Sequence, residues 1–486
     1  MSLVQPTDPV EVGRLGRVHF VGMGGVGMSG IARVLLQRGV EVSGSDAKDG
    51  PLLRQLAELG AVTHVGHAAG NVGDADTLVV SSAVREDNPE LAEARERGLR
   101  ILPRAAALGA LLLDRRGVAV AGTHGKTTTT SMLTVVLQHL GVEPGYVIGG
   151  SLVTTGLGAD AGAGDVIVVE ADESDGSFLM LRPRIAVVTN VEADHLDNYG
   201  GLEEIHANFA AFVDRVAETL VVGIDDPGAR KVAEVARERG RRVRTYGEAP
   251  EAEYRVSDVR ADGFTTSFTL TAPGSEPVRC AIAVPGRHNV LNAAAAVAAA
   301  DELGHDPEVA ADGLARFTGA ARRFEFKGEA GGVRVYDSYA HHPTEIAADL
   351  TAARAALESE AGRRETGGAR GRVVALFQPH LYSRTRIFAT EFAEALTLAD
   401  EAVVLAIYAA REDPEPGVTA ELITGRVGHE RVHHRPDKAG AVVQVADLAR
   451  PGDIVLTMGA GDVTELGPEI VEALGGSGGP RPGDPA

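Results

Sequence analysis

Short, unbroken apolar runs recur along this chain, each ending in small or polar residues and followed by a stretch of helical period. Such runs predict strands buried on both faces of a parallel sheet, and the alternation of the two periods predicts α/β units. In the first part, strands are predicted over 17–21, 40–45, 77–82 and 101–103, with helices running to about residue 38, ending over 56–59 and covering 90–97. In the middle, 118–121, 165–170 and 185–190 read as buried strands, and 221–226 as another strand ending. Residues 264–270 and 278–284 alternate in places, which suggests a small antiparallel sheet, and the alanine run 293–300 favours helix. Further strands are predicted over 333–338, 373–377, 403–407 and 454–458, with a helix over 344–358 and a basic, glycine-rich loop over 362–371. These blocks divide the chain into domains at 1–113, 114–321 and 322–474, followed by a glycine- and proline-rich tail, 475–486, predicted to be disordered.

The stretch Gly122-Thr123-His124-Gly125-Lys126-Thr127-Thr128 lies where a buried strand turns into a helix. Backbone N–H groups in such a turn point at one spot, and the helix start adds partial positive charge. Lys126 would reach terminal phosphates, and the Thr127 hydroxyl can serve Mg2+. The spelling departs from a strict P-loop, because Val120 stands where the leading glycine belongs. The strands at 165–170 and 185–190 deliver Glu170 and His195 to their carboxyl ends. If these strands run parallel to the first, their acids and imidazole converge on the phosphate site, a donor set that suits Mg2+ or Mn2+.

Nearer the start, Gly22, Gly24 and Gly27 spell G-x-G-x-x-G between a strand and a helix, and Asp46 follows about twenty residues later. Alone, this Rossmann-like half reads as a dinucleotide site and raises a dehydrogenase as a rival reading. The turn itself recognises a diphosphate and says little about what is attached. Ser81 and Ser82 sit at a strand end, where they could bind ligand or cap a helix. Asn292 could likewise cap a helix or read a base.

Composition narrows the classes. Of 486 residues, 44% are hydrophobic and 24% charged, as in a globular protein. A net charge of −21 argues against a nucleic-acid or anionic-membrane binder, so anionic ligands would need local basic pockets. The single cysteine, Cys280, excludes a disulfide framework. No signal-peptide pattern or membrane-length apolar run is visible, so a cytoplasmic enzyme is expected.

Taken in order, several strings resemble the Mur ligases of peptidoglycan synthesis: 22–30, 122–128, Glu170-Ala-Asp-Glu-Ser-Asp175, 190–197, His288-Asn-Val-Leu-Asn292, Arg322-Arg-Phe-Glu325, Tyr339-Ala-His-His-Pro343 and 378–384. The resemblance covers nearly the whole chain, and the glycine and His-His-Pro strings point to the L-alanine-adding branch. It implies three α/β domains: a Rossmann-like domain for the UDP sugar, a central ATPase-type domain and a Rossmann-like C-terminal domain that closes over them. It implies ATP-driven ligation of L-alanine to UDP-N-acetylmuramate, with Mg2+ or Mn2+, in a monomer or weak homodimer. A relative adding a preformed peptide to the same sugar is the alternative. The UDP diphosphate would lie over Gly24, Gly25, Val26, Gly27, Met28 and Ser29. Lys126 and Arg323 would hold the γ-phosphate, and Thr127, Glu170 and His195 the metal. His288 and Asn292 would contact adenine, and Asp337 the ribose. His380 and Arg384 would face the muramoyl carboxylate, with Tyr339 and His341 near the L-alanine. Two departures stand out. Leu381 replaces an arginine of several relatives, and no lysine between Lys126 and Lys231 can supply the carbamylated side chain of sister ligases.

Overall fold

The computed structural model describes residues 7–194, 196, 198–363, 371–410, 412–427 and 431–475. His195, most of the loop 362–371 and the tail beyond 475 therefore lie outside the described residues. The chain forms two compact units. One holds the described residues up to Ser257 with Thr269–Cys280 and Leu291–Phe317; the other holds Asp258–Phe268, Ala281–Val290 and the described residues from Thr318 on.

In the first unit, β1 (Val18–Val21), β2 (Val42–Asp46), β3 (Val62–Val65), β4 (Thr77–Val80) and β5 (Arg100–Pro103) form a parallel sheet in the order β3-β2-β1-β4-β5. The order reverses between β1 and β4, and a crevice opens beyond their carboxyl ends at such a switch point. The glycine turn follows β1 and Ser81–Ser82 follow β4, so the topology brings both to this crevice.

The same unit carries β6 (Arg116–Ala121), β7 (Gly145–Val147), β8 (Ala159–Asp160), β9 (Val166–Glu170), β10 (Ile185–Val188), β11 (Thr219–Gly223) and β12 (Arg242–Gly247). Their order is β12-β11-β10-β6-β9-β7-β8. β6 lies between β9 and β10 and pairs with both in parallel, with Val120 opposite Glu170 and Ala121 opposite Val188. The two sheets pack together because Gly30 lets the helix Val26–Gln37 come close: a Cβ there would stand 3.2 Å from Val147 and 3.3 Å from Ala159. Gln37 then bonds Asp160 and the Ala161 N–H. The helix Lys126–His139 is buried on every side from Thr127 to Leu137. Its Thr130 and Thr134 hydroxyls bond carbonyls one turn back, which lets a threonine-rich helix enter a core.

β13 (Tyr254–Asp262), β14 (Thr265–Thr271) and β15 (Val278–Ile282) follow. The alternating strands stand next to one another, as β15-β14-β13, and join the larger sheet where Tyr254 pairs in parallel with Tyr246 at the end of β12.

In the second unit, β16 (Glu325–Ala330), β17 (Val333–Ser338), β18 (Val373–Phe377), β19 (Glu401–Val404), β20 (Val432–His434) and β21 (Ile454–Met458) order as β16-β17-β21-β18-β19-β20. Only β16 is antiparallel. Phe264 stacks on Tyr336 at 4.7 Å and lies under Arg334 at 4.9 Å, which ties the segment 258–268 to this sheet. The helix Pro343–Arg363 runs past the predicted end at 358.

One polar cluster runs against the sequence pattern. Glu90 lies in the first turn of the helix Pro89–Glu96, which reads from sequence as a charged helix, yet it is fully buried. Ser45 donates to it at 2.6 Å and Asn71 at 2.7 Å, and the buried His19 lies 3.7 Å away. Burial pushes this carboxyl up, but the contacts with His19, Ser45 and Asn71 outweigh it and bring it down to about 2. The resulting stabilisation is complete above the unfolded value of 4.5 and is lost as pH falls through the folded value. Replacing Glu90 by alanine leaves several buried donors unpaired and should cost about 3 kcal/mol at pH 7. Glu90→Gln, which keeps the shape, should lose less, and its gap to wild type should narrow as pH drops below 4.5. Urea unfolding of the three proteins at pH 7 and pH 4 measures both effects.

Candidate active site

β6 pairs in parallel with β9 and β10, so the three strands bring their carboxyl ends to one place. Beyond β6 the chain turns through Gly122, at φ 129°, and Gly125, at φ 83°, angles that favour glycine. There is no room at either position. A Cβ on Gly122 would lie 2.0 Å from Thr189 Oγ1, and one on Gly125 2.6 Å from Asn292 Oδ1. Asn292 is buried and lies against the turn, on the helix Arg287–Glu302.

Asn190, just beyond β10, fastens this turn. Its Oδ1 accepts from the His124 N–H at 2.8 Å, its Nδ2 donates to the His124 carbonyl at 3.1 Å, and its own carbonyl accepts from the Thr123 N–H at 3.0 Å. Thr189 Oγ1 adds a bond to the His124 carbonyl at 2.6 Å. Thr123 Oγ1 accepts from the Glu192 N–H. The sequence reading gave Asn190 no role; its place at the end of the strand beside β6 was the available signal.

Lys126 opens the helix, as predicted, with its ammonium folded back over the turn. Nζ donates to the Gly122 carbonyl at 2.6 Å and the Thr123 carbonyl at 3.1 Å, and pairs with Glu173 at 2.9 Å. Burial alone would lower its pKa, but Glu173 and Glu170 outweigh it, so the lysine keeps its charge. Burial pushes Glu173 up to about 7 even against the pull of Lys126. The Tyr199 hydroxyl, also buried, donates to the Glu173 carbonyl.

Thr127 Oγ1 lies 3.2 Å from Glu170 Oε1. The other carboxylate oxygen accepts from the Gly149 N–H at 2.8 Å, and a Cβ on Gly149 would collide with this carboxylate. Two of the three predicted metal ligands thus meet, and His195 is outside the described residues. The two are hard oxygen donors of the kind Mg2+ takes. Thr128 is buried beside them.

At the N-terminal glycine turn, Gly24 N–H donates to Asp46 Oδ2 at 2.9 Å, so this donor already has an anion. Gly25 N–H bonds the Gly22 carbonyl, and Ser29 spends its N–H on Gly25 and its hydroxyl on Val26. Met28 is buried in the core. The helix geometry leaves the N–H groups of Val26, Gly27 and Met28 for a ligand.

In the second unit, two guanidinium groups lie over the Tyr339 ring, Arg322 at 4.8 Å and Arg323 at 5.0 Å from its centroid. His341 packs 5.2 Å from Tyr339 and 6.0 Å from His380, which stacks on Tyr408. The fold therefore gathers Arg323, Tyr339, His341 and His380 beyond β17 and β18. Asp337 is fully buried and accepts from Thr457, Thr464 and Arg322, so this carboxylate anchors the strand end and the Arg322 guanidinium. His288 faces Asp349 at 3.9 Å. Burial pushes Asp349 up to about 7 against a hydrogen bond from Ser338. Arg384 is 6% exposed, on the short helix Tyr382–Ile387. Leu381, at the position noted above, is buried with φ 70°.

Comparison with known proteins finds matches along most of the chain. The Mur ligase family catalytic-domain model matches residues 17–116, the Mur ligase middle-domain model 120–300, and the Mur ligase glutamate ligase domain model 322–461. The chain is 77% identical to the UDP-N-acetylmuramate–L-alanine ligase of Thermobifida fusca, over 98% of this chain and 100% of that one. It is 56% identical to the ligase of the same name from Kineococcus radiotolerans, over 95% and 97%. A similar solved structure is the UDP-N-acetylmuramate-alanine ligase of Thermotoga maritima, 29% identical, with a TM-score of 0.75 over 94% of this chain and 98% of that one.

Asn190→Ala would strip both amide bonds from His124 and loosen the turn. Affinity for a non-hydrolysable ATP analogue should fall about tenfold, the equivalent of one or two hydrogen bonds. Calorimetric titration checks this, and unchanged nucleotide affinity would show that the turn holds its shape without Asn190.

Proposed function

The chain belongs to the Mur ligase family, and from that premise we propose how its residues share the work. The reaction is ATP-dependent ligation of L-alanine to the carboxylate of UDP-N-acetylmuramate, in peptidoglycan precursor synthesis. The observation that carries this is 77% identity, along the full length, to a ligase of that name. The carboxylate attacks the γ-phosphorus, ADP leaves, and an acyl phosphate forms. The L-alanine amine then attacks the carbonyl carbon, and phosphate departs. The chemistry brings several anions together, so the protein's task is to neutralise and orient them.

We assign residues 1–113 to the UDP sugar, 114–321 to ATP and metal, and 322–474 to the C-terminal domain. The turn Gly122–Thr128 would cradle the phosphates. Lys126, already charged and aimed over the turn, would exchange Glu173 for the γ-phosphate, with Arg323 as a second cation. Thr127 and Glu170 would hold Mg2+, with His195 as a further ligand; when bound, the ion supplies charge neutralisation on phosphate oxygens. His288 and Asn292 would serve adenine. The ribose role foreseen for Asp337 would have to compete with its three buried donors. The UDP diphosphate would take the free N–H groups of Val26, Gly27 and Met28, with Ser81 and Ser82 across the crevice. His380 and Arg384 would face the muramoyl carboxylate, and Tyr339 and His341 the L-alanine. No helix among the described residues is long and apolar enough to cross a membrane. A cytoplasmic place, where ATP and the UDP sugar are made, fits this chemistry.

The test is phosphate release from ATP with UDP-N-acetylmuramate, comparing L-alanine, glycine, L-serine and a preformed tripeptide. Release that requires the tripeptide would favour the peptide-adding alternative.

Lys126→Ala should cut turnover at least about a thousandfold, roughly 4 kcal/mol of transition-state stabilisation. Glu173 would then take a proton and stay buried, so the melting curve should remain cooperative. A folded variant with near-normal turnover would rule out this role for the lysine.

Arg384→Lys keeps the charge but loses the planar fork that binds a carboxylate bidentately. L-alanine-dependent phosphate release should drop about tenfold or more while ATP-analogue affinity changes little. Paired titration and turnover measurements decide this, and equal losses in both would refute it.

A further inference from the structure

One cation stands between the N-terminal glycine turn and the acidic loop after β9, and it has no role in the assignments above. Arg104 opens the helix Arg104–Ala110 behind β5. Its Nη2 donates to Asp172 Oδ2 at 2.8 Å. Its Nη1 lies over the N-terminal glycine turn: a Cβ built on Gly27 would stand only 2.5 Å from it. Gly27 is the second residue of the helix Val26–Gln37, whose first N–H groups lack intrahelical partners. Asp172 lies between Glu170 and Glu173 in the loop after β9, and its other oxygen accepts from the Ser174 N–H at 3.1 Å. The Arg104 side chain is 33% exposed, so it can be reached by a ligand without unfolding anything.

A guanidinium has five donors in a flat fork and can hold two anions at once or pass from one to the other. Resting on the assignment of the UDP diphosphate to the glycine turn, we propose that Arg104 is a positioning residue shared between Asp172 and that diphosphate. When the UDP sugar arrives, its phosphate oxygens compete with the Asp172 carboxylate for the fork. Asp172 is partly released, and with it the loop that carries Glu170 and Glu173. Occupation of the sugar site is thereby felt at the ATP and metal site. Thermodynamic linkage makes the effect mutual: whatever the UDP sugar does to ATP affinity, ATP does to UDP-sugar affinity.

The experiment is calorimetric titration of UDP-N-acetylmuramate into the full-length wild type, Arg104→Gln, Arg104→Lys, Asp172→Asn and the Arg104→Gln/Asp172→Asn double variant. Asp172→Asn removes the competing anion and should tighten UDP-sugar binding severalfold. Arg104→Gln should weaken it about tenfold, as expected for loss of a charge-assisted contact. Arg104→Lys should recover part of that loss. In the double variant the gain from Asp172→Asn should vanish, because no guanidinium is left to release. An ATP analogue titrated with and without UDP sugar should show a shift in the wild type and none in Arg104→Gln. A merely structural bridge predicts something else: Asp172→Asn would lower stability and leave UDP-sugar affinity unchanged or weaker, and that result overturns the proposal. Gly24→Val separates this from the reading beneath it, since its Cβ would press on Asp46 at 2.9 Å and distort the turn. If Gly24→Val binds UDP sugar normally, the glycine-turn assignment itself has failed. If Gly24→Val abolishes binding and Asp172→Asn changes nothing, only the role of Arg104 has failed.

Discussion

The site in the first unit depends on a lysine ammonium held at the mouth of a glycine turn with little water to solvate it. A buried cation is tolerated only when anions and carbonyls replace its hydration shell. Here Glu173 and the carbonyls of Gly122 and Thr123 do so. That requirement explains why β6 lies inside the sheet and not at its edge. Only a strand flanked on both sides can have Glu170 and Glu173 delivered by one neighbour and Asn190 by the other. Glu173 pairs with this ammonium at 2.9 Å, so any other anion drawn to it must compete with that carboxylate.

The chain uses the strand–glycine–helix device twice, and side-chain chemistry separates the two. After β6 the helix opens with Lys126 and Thr127, which suit a terminal phosphate and its metal. After β1 it opens with Val26 and Gly27, which offer backbone N–H groups and no cation of their own. The missing charge comes from elsewhere in the chain, in the guanidinium of Arg104. Asp46 accepts from the Gly24 N–H and braces the turn.

In the second unit, backbone strain and ring packing do the positioning. Arg322 and Phe324 sit at φ 59° and 56°, and Leu381 at 70°, values unusual for side chains of this size. They flank the strand ends from which Tyr339 and His380 project. Asp337 holds one side of this arrangement by accepting from Arg322, Thr457 and Thr464 while wholly buried. Strain of this kind persists where the surroundings over-determine it and gathers at sites that bind ligands.

Local pattern determined a good deal on its own. The buried strands at β1, β4, β6, β9, β10, β17, β18 and β21, the two glycine turns and the lysine that opens the helix after the second were legible, because period and turn chemistry act over a few neighbours. Other features required the folded chain. Short or polar strands such as β3, β8 and β20 carry too little periodicity to be seen and exist because a partner strand offers them hydrogen bonds. β21 inserts between β17 and β18, an order that no residue near it announces. Glu90 reads as one more residue of a charged helix until His19, Ser45 and Asn71 enclose it. Glu173, Asn190 and Arg104 gain their roles from partners far along the chain. Sequence spacing reports which residues share a face of one helix or strand. Which charge meets which across the fold is settled only when distant elements pack and each buried charge has found its counterpart.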